Sequence, residues 1–286
     1  MVIDVHTHVF PPEFIRDRGR LLRVCPWFGT LYAKPDRRMA TAEQLLASMK
    51  RAGVDRSVVF GFPWSDPGRL RAANDYVFEA AAGSAGKLIP FAVVDPGNMA
   101  LTEEEIVRLH GRGLAGIGEL MPDGQGFRLD DERIMDNCLR LAVFHKLVVM
   151  IHASEPVGHD YPGKGRVSPE VIYRLAGKFP DVNILCAHWG GGILPYELMP
   201  EVATALKNVY YDSAASTLLY DDRIFHVAAE IAPRKILFGT DYPLLSQSRM
   251  LQRARTRLDG TPHLDDFLAG NARRLFESIR TAGRSA

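Results

Sequence analysis

The sequence Val2-Ile3-Asp4-Val5-His6-Thr7-His8 decides how the rest of the chain is interpreted. Its apolar residues predict a short strand, and side chains two positions apart on a strand point to the same face. His6 and His8 are therefore expected to project together, with Asp4 on the same face. Neutral imidazole is the commonest protein ligand for zinc and similar metals. A pair of this kind alone is equally consistent with a surface feature, so the interpretation needs further ligands elsewhere in the chain.

Seven further apolar segments predict strands, and they alternate with segments of helical periodicity. Because the strands are apolar enough to be buried on both faces, the pattern indicates a parallel α/β barrel. We predict a single (β/α)8 TIM-barrel domain over residues 1–286, distorted by a long loop after strand 1. A doubly wound sheet is the competing fold, but no Gly-rich phosphate-binding turn follows the first strand. The seven segments are residues 57–62, 88–94, 114–118, 147–151, 182–187, 208–211 and 235–240.

The connection after the first strand, residues 9–39, is unusually long. Prolines and glycines interrupt it, which predicts an irregular loop, and loops of this length are often functional. Five aromatic residues lie within it, and a loop surrounded by water would not be expected to carry so many. We expect the segment to cover the mouth of the barrel or to contact a second subunit. The aromatic residues are Phe10, Phe14, Trp27, Phe28 and Tyr32.

Composition and charge exclude several classes of protein. The net charge of +1 gives no strong field for nucleic acid or for an anionic membrane surface, and no stretch of 18 apolar residues predicts a membrane span. The first strand begins at Val2, so we expect no signal peptide. Cys25, Cys138 and Cys186 form neither a CxxC motif nor an even set, as expected for reduced thiols. These features favour a cytoplasmic protein.

Metal-ligating residues recur where the predicted strands end. Active sites of (β/α)8 barrels form at the carboxyl ends of the strands, so these side chains would share one mouth. Four of the nine histidines in the chain are among them, which is improbable as a packing accident. The set predicts a site for a divalent metal, and it comprises His6, His8, Glu119, His152, His188 and Asp241.

The chain resembles the amidohydrolase superfamily in motifs that cover almost its whole length. Within the superfamily it looks most similar to the amidohydrolase-2 branch, which includes aminocarboxymuconate-semialdehyde decarboxylase-like enzymes. Glu119 departs from many members, which place a carboxylated lysine there, and is similar to the TatD-like branch. The motifs are Asp4-Val5-His6-Thr7-His8, His152, His188, Gly239-Thr240-Asp241-Tyr242-Pro243 and the closing helix at residues 270–276.

The resemblance implies a role for each ligand. His6 and His8 would hold the more buried metal together with Asp241. His152 and His188 would hold a second metal, or one of them would ligate the first metal while the other polarises the substrate. Asp241 would also act as the catalytic base. Glu119 would bridge two metals, or it would instead orient a ligand histidine.

The metal and the reaction are each predicted with alternatives. Zinc is the first expectation, with one or two ions per chain, and Mn, Co or Fe suits the same ligands. Bound zinc can lower the pKa of water to about 7, so we predict a hydrolase acting on a small-molecule ester, lactone, amide or related bond. The alternative is a metal-dependent, non-oxidative decarboxylase of an aromatic or unsaturated carboxylic acid. A non-catalytic metal-binding protein is the third possibility.

The Gly- and Pro-rich loop at residues 153–166 is the expected substrate-contacting segment, because it follows directly on His152. Its polar side chains could meet a polar or anionic substrate, although a solvated surface loop is an equally good interpretation. The partner expected for the protein is a small-molecule substrate, and a homodimer is left open. The candidate substrate-binding residues are His159, Tyr161, Lys164 and Arg166.

Overall fold

Eight parallel strands form one sheet in which every strand lies beside its neighbours in the chain. The structure is a computed structural model that describes residues 1–281, so the last five residues of the expected 1–286 domain lie outside it. The strands are β1 (Ile3–His8), β2 (Arg56–Phe60), β3 (Leu88–Ala92), β4 (Gly116–Leu120), β5 (Val148–Ile151), β6 (Asn183–Cys186), β7 (Val209–Asp212) and β8 (Ile236–Leu237).

The sheet closes on itself between the last strand and the first. The backbone N–H of Val5 donates to the carbonyl of Phe238 at 2.8 Å, and that of His8 donates to the carbonyl of Tyr242 at 2.7 Å. Thr7 and Tyr242 also form a parallel bridge. The predicted (β/α)8 TIM barrel is therefore confirmed.

Helices cover the outside of the barrel and connect the strands. Among residues 1–281, no helix is both long enough and apolar enough to cross a membrane. The helices are α1 (Pro12–Arg16), α2 (Arg18–Val24), α3 (Pro26–Tyr32), α4 (Ala42–Ala52), α5 (Pro67–Ala82), α6 (Met99–His110), α7 (Pro122–Gln125), α8 (Glu132–Phe144), α9 (Pro169–Lys178), α10 (Pro200–Ala205), α11 (Ser216–Leu219), α12 (Ile224–Ile231), α13 (Gln247–Leu258) and α14 (Asn271–Thr281).

The core has two apolar layers. The larger layer lies between the strands and the surrounding helices, and it includes Ile117 and Val149. The smaller layer contains Val58 and Phe91 and packs against Leu275 of α14. Because β-strands present alternate residues to opposite faces, strands buried on both sides are apolar throughout, as β5 is.

Strand β4 lies two residues further along the chain than the segment predicted at 114–118. Its register with β5 continues to the pair Leu120 and Ile151, so Glu119 lies inside the strand and not after it. Glutamate has a low strand propensity, and pairing with a neighbouring strand overrides that preference here. The prediction of the strand is confirmed, and its predicted end is wrong.

The segment at residues 9–39 is not the irregular loop that its prolines predicted. It contains helices α1, α2 and α3, because Pro12 and Pro26 occupy the first helical position, where a missing N–H costs nothing. Phe10 and Phe28 are fully buried, and they form an apolar cluster with Trp64, which lies in the segment after β2. We call helices α1–α3 and the residues up to Met39 the lid.

Candidate metal centre and active-site cavity

Two histidines of β1 and one carboxylate of β4 face a common point in the barrel mouth. The Nε2 atoms of His6 and His8 are 3.2 Å apart, and each lies 3.6 Å from Oε2 of Glu119. Asp241, which follows β8, places Oδ1 3.4 Å from Nε2 of His8 and 3.8 Å from Nε2 of His6. Two imidazole nitrogens and two carboxylate oxygens at these distances can surround one divalent cation.

A second group of ligands lies on the other side of Glu119. Its Oε1 is 2.9 Å from Nδ1 of His152 and 3.8 Å from Nε2 of His188, and those two nitrogens are 3.3 Å apart. In the first group, one side-chain nitrogen or oxygen from each of His6, His8 and Glu119 lies within 4.8 Å of the other two. The same holds in the second group for Glu119, His152 and His188. Glu119 therefore presents one oxygen to each group, and the donor atoms fit a metal in either place.

Three of the histidines are held by their other ring nitrogen. Nδ1 of His6 donates to Oδ2 of Asp212 at 2.8 Å, and Nδ1 of His188 donates to the carbonyl of Ala214 at 3.0 Å. Nε2 of His152 donates to the carbonyl of Gly163 at 2.9 Å. Each of these bonds orients the ring and directs its other nitrogen towards the centre, where it can bind a metal once it is unprotonated.

The charges of the centre favour ionised carboxylates. Burial raises the pKa of Glu119, but the nearby positive charges of His6 and His152 lower it well below its usual range. Burial also raises the pKa of Asp241, but a hydrogen bond to His8 and the positive charges of the surrounding histidines lower that pKa to about 2. Burial and the charge of His152 lower the pKa of His188. Burial lowers the pKa of His6, but the charges of Asp212 and Glu119 raise it well above its usual value, and Glu119 likewise raises the pKa of His152. At neutral pH the centre thus offers anionic oxygens and the unprotonated imidazole of His188, and a bound metal would displace the protons of His6 and His152.

Above the centre lies a cavity of about 280 Å³ that opens towards the lid. Trp27, Leu31 and Tyr32 of α3 line it, which confirms that the segment after β1 covers the mouth. A contact of this segment with a second subunit stays a prediction. The other walls combine ligands with apolar and basic side chains, namely His8, Glu119, His152, His188, Asp241, Phe62, Met121, Leu218, Leu219, Arg37 and Arg38.

A family model described as Amidohydrolase matches residues 3–277 of the chain. The chain belongs to this family. The predicted membership is thereby confirmed, as is the prediction of an enzyme. No curated protein matches the chain in sequence.

Solved structures extend the comparison to the fold. A manganese complex of 5-carboxyvanillate decarboxylase from Novosphingobium aromaticivorans is 18% identical with a TM-score of 0.75, covering 97% of this chain and 96% of that one. A 2,6-dihydroxybenzoate decarboxylase is 19% identical (TM-score 0.67; 96% and 99% covered). A probable 2-pyrone-4,6-dicarboxylic acid hydrolase from Acinetobacter baumannii is 15% identical (TM-score 0.63; 96% and 99% covered). At these identities the likeness shows a shared fold.

The family and the converging side chains of the barrel mouth support a divalent metal for this chain. They do not favour zinc, so zinc stays a prediction. The six residues expected to hold and use the metal all meet in the barrel mouth, while their individual roles as ligands and base also stay predictions.

The four residues expected to contact the substrate separate into two pairs. His159 and Tyr161 line the cavity. The ammonium of Lys164 instead donates to three carbonyls of its own loop, including that of His159 at 3.2 Å, and Arg166 donates to Asp123 at 2.6 Å. The structure therefore does not bring the charged groups of Lys164 and Arg166 to the cavity, because both stabilise the loop.

Sequence reasoning missed three residues of the site. Asp212 ends β7, where a strand-end carboxylate was visible but had no metal ligand beside it in the sequence. Arg37 and Arg38 line the cavity because the lid folds back over the mouth. The only available signal for them was their place in a segment already expected to cover the mouth.

Proposed function

We propose that this protein is a hydrolase that holds two divalent metals and cleaves an ester, lactone, amide or related bond of a small molecule. The position of Glu119 carries the proposal, since one carboxylate oxygen faces His6 and His8 while the other faces His152 and His188. Two dications held close together repel each other, and a shared anionic ligand offsets that repulsion.

The metals, when bound, would supply Lewis acidity towards a carbonyl oxygen and would lower the pKa of water. Asp241 lines the cavity as a carboxylate, so it can accept the proton of the attacking water and pass it to the leaving group. Asp212 keeps His6 in the tautomer that faces the centre. Trp27 and Tyr32 close the cavity above and limit the access of bulk water.

The test is the number of metal ions per chain in protein saturated with Zn, Mn or Co. We expect two in the wild type, and about one in Glu119→Gln, which keeps the size of the side chain and removes its charge. Turnover of an ester, lactone and amide panel should fall at least tenfold in the same variant. Glu132→Gln, on the exposed surface of α8, is the matched control and should behave as the wild type. Saturation of the wild type at one ion, with Glu119 outside bonding distance, would rule out the two-metal hydrolase.

Decarboxylation of an aromatic or unsaturated carboxylic acid is the second candidate. The activities of the solved neighbours favour it over hydrolysis, since two of the three described above are named decarboxylases. Arg37 and Arg38 also place two cations at the cavity, where they could orient a carboxylate. If the protein is a decarboxylase, it should release CO₂ from hydroxybenzoic acids while it holds one metal ion per chain. CO₂ release and metal count, measured on one preparation, decide between the two reactions.

A further inference from the structure

A second and larger cleft, of about 1330 Å³, opens beside the cavity. It lies between the end of the lid, helices α4 and α13, and the segment after β8. Seven arginines and two aspartates line it, although the whole chain carries a net charge of only +1. The fold therefore collects positive charge from distant parts of the sequence. The arginines are Arg18, Arg37, Arg38, Arg51, Arg249, Arg253 and Arg257.

Three of these arginines have partners within the protein. Arg18 donates to the carbonyls of Tyr32 and Lys34, which fixes the end of the lid. Arg253 and Arg257 both pair with Asp222, at 2.7 Å and 3.2 Å, and so neutralise its charge.

The other four arginines have no such partner. In the part of the chain that the structure describes, the guanidinium groups of Arg37, Arg38, Arg51 and Arg249 form neither an ion pair nor a hydrogen bond. Of the two aspartates, Asp222 is already paired and Asp36 forms no ion pair in the part of the chain that the structure describes, so one carboxylate faces four free guanidiniums. These cations repel each other, and a bound anion between them relieves that repulsion.

The cleft and the active-site cavity share a wall. Arg37, Arg38, Leu218, Pro243 and Leu244 line both spaces. The two spaces therefore adjoin, and a ligand that extends past Arg37 and Arg38 would have one end in the small cavity and the other end among the arginines. The cavity of 280 Å³ holds only a small group, whereas the cleft has room for a much larger one.

We propose that this cleft binds the phosphate-bearing end of a substrate whose reacting bond enters the cavity. Guanidinium groups remain charged at all physiological pH values and match phosphate oxygens with paired N–H donors. A single carboxylate has one negative charge and can accept hydrogen bonds from only some of the N–H groups of four guanidiniums. A group with two or more negative charges, such as a phosphate, is a better match. The inference rests on the proposed function only in naming the ligand as part of a substrate.

The test is calorimetric titration of metal-loaded protein with inorganic pyrophosphate at low ionic strength. The cleft variant combines Arg38→Gln, Arg51→Gln and Arg249→Gln. The control variant removes the same charge from exposed arginines outside the cleft, with Arg133→Gln, Arg234→Gln and Arg255→Gln. We expect the affinity to fall at least tenfold in the cleft variant and to stay within twofold of the wild type in the control.

A further variant separates the cleft from the metal centre, where phosphate oxygens could also bind. His6→Ala/His8→Ala disrupts the centre, leaves the arginines untouched and should retain pyrophosphate binding. Equal affinity in the cleft and control variants overturns the proposal, as does loss of binding in the histidine variant alone. Binding does not depend on turnover, so a protein that binds pyrophosphate in the cleft but hydrolyses nothing refutes the hydrolase and leaves the cleft site intact.

Discussion

Single side chains behind the candidate metal centre orient the residues that we propose as its ligands. Asp212 receives the N–H of the His6 ring and also the backbone N–H groups of His188 and Ala214, at 3.0 and 2.9 Å. One buried carboxylate thus orients a ligand of the first group and the backbone that carries a ligand of the second. Asp4 is part of β1, two residues before His6, and accepts hydrogen bonds from Thr240 and from Gln247.

Asp212→Asn should weaken metal binding without unfolding the barrel. The amide keeps the shape of the carboxylate but loses its charge, so it no longer stabilises the required tautomer and basicity of His6. We expect an affinity about 10–100-fold lower, measured by competition with a metal-sensitive dye. Asp222→Asn, which removes a carboxylate remote from the centre, is the control. Equal affinity in the two variants would show that Asp212 does not support the ligands.

The buried carboxyl of Asp4 should make the free energy of unfolding decrease as the pH rises. Burial raises its pKa from 3.8 to about 6, although hydrogen bonds from Gln247 and Thr240 act against the rise. The folded state therefore holds the proton more tightly than the unfolded state. This tighter binding of the proton adds to the free energy of unfolding. Its contribution is fully present below pH 3.8 and is lost as the pH rises through about 6.

Comparison with Asp4→Asn isolates the contribution of this carboxyl. Between pH 3.8 and 6, the free energy of unfolding of the wild type should fall by about 3 kcal/mol relative to that of the variant. Urea denaturation of metal-free protein at several pH values measures this difference. Parallel pH profiles for the two proteins would show that the pKa of Asp4 is not raised in the folded state.

At the level of elements, the lid is held by close packing against the short helix α7. A Cβ atom built on Gly124 would lie 2.1 Å from the ring of Trp27, so no larger residue fits there without displacing α3. The same indole donates to the sulfur of Met121 at 3.4 Å. The wall of the cavity formed by α3 therefore depends on a glycine in α7.

Gly124→Ala should displace the lid. We expect a loss of about 1–3 kcal/mol in the free energy of unfolding, because a methyl group is forced into a filled space. A shift of tryptophan emission should accompany the loss. Gly177→Ala in α9, where a Cβ meets nothing within 4 Å, is the control and should be neutral or stabilising. Unchanged stability and emission in Gly124→Ala would contradict the tight packing.

Elements and ligands differ in how well the sequence predicts them. The apolar runs predict the strands, and polar residues at the ends of those runs predict the ligands, because both depend on local pattern. The start of α3 at Pro26 was missed because proline was interpreted as an interruption and not as a first helical residue. The roles of Asp212, Arg37 and Lys164 depend on contacts made only after folding, so no local pattern reveals them.

On the scale of the whole molecule, the candidate metal centre lies where the first strand meets the last. His6 and His8 belong to β1 and Asp241 follows β8, so a bound ion would connect the two edges at which the sheet closes. Such an ion binds the folded state and not the unfolded chain. Its binding energy therefore adds to the stability of the closed barrel.

Removal of metal should lower the melting temperature. At a free metal concentration 100 times the dissociation constant, the gain is about 2.7 kcal/mol, or roughly 4–5 °C in Tm for a chain of this size. Calorimetry before and after chelation measures it. His6→Ala/His8→Ala should show a much smaller difference, and an equal difference in the variant and the wild type would place the stabilising ion elsewhere.

The hydrogen bond between His6 and Asp212 spans 206 positions of the chain. A ribosome adds roughly 5–20 residues per second, so roughly 10–40 s separate the synthesis of these two residues. During that interval the histidines of β1 have no barrel to organise them. We expect the metal to enter only after translation has passed Asp241, and ribosome-bound nascent chains arrested before that residue should retain no ion through gel filtration.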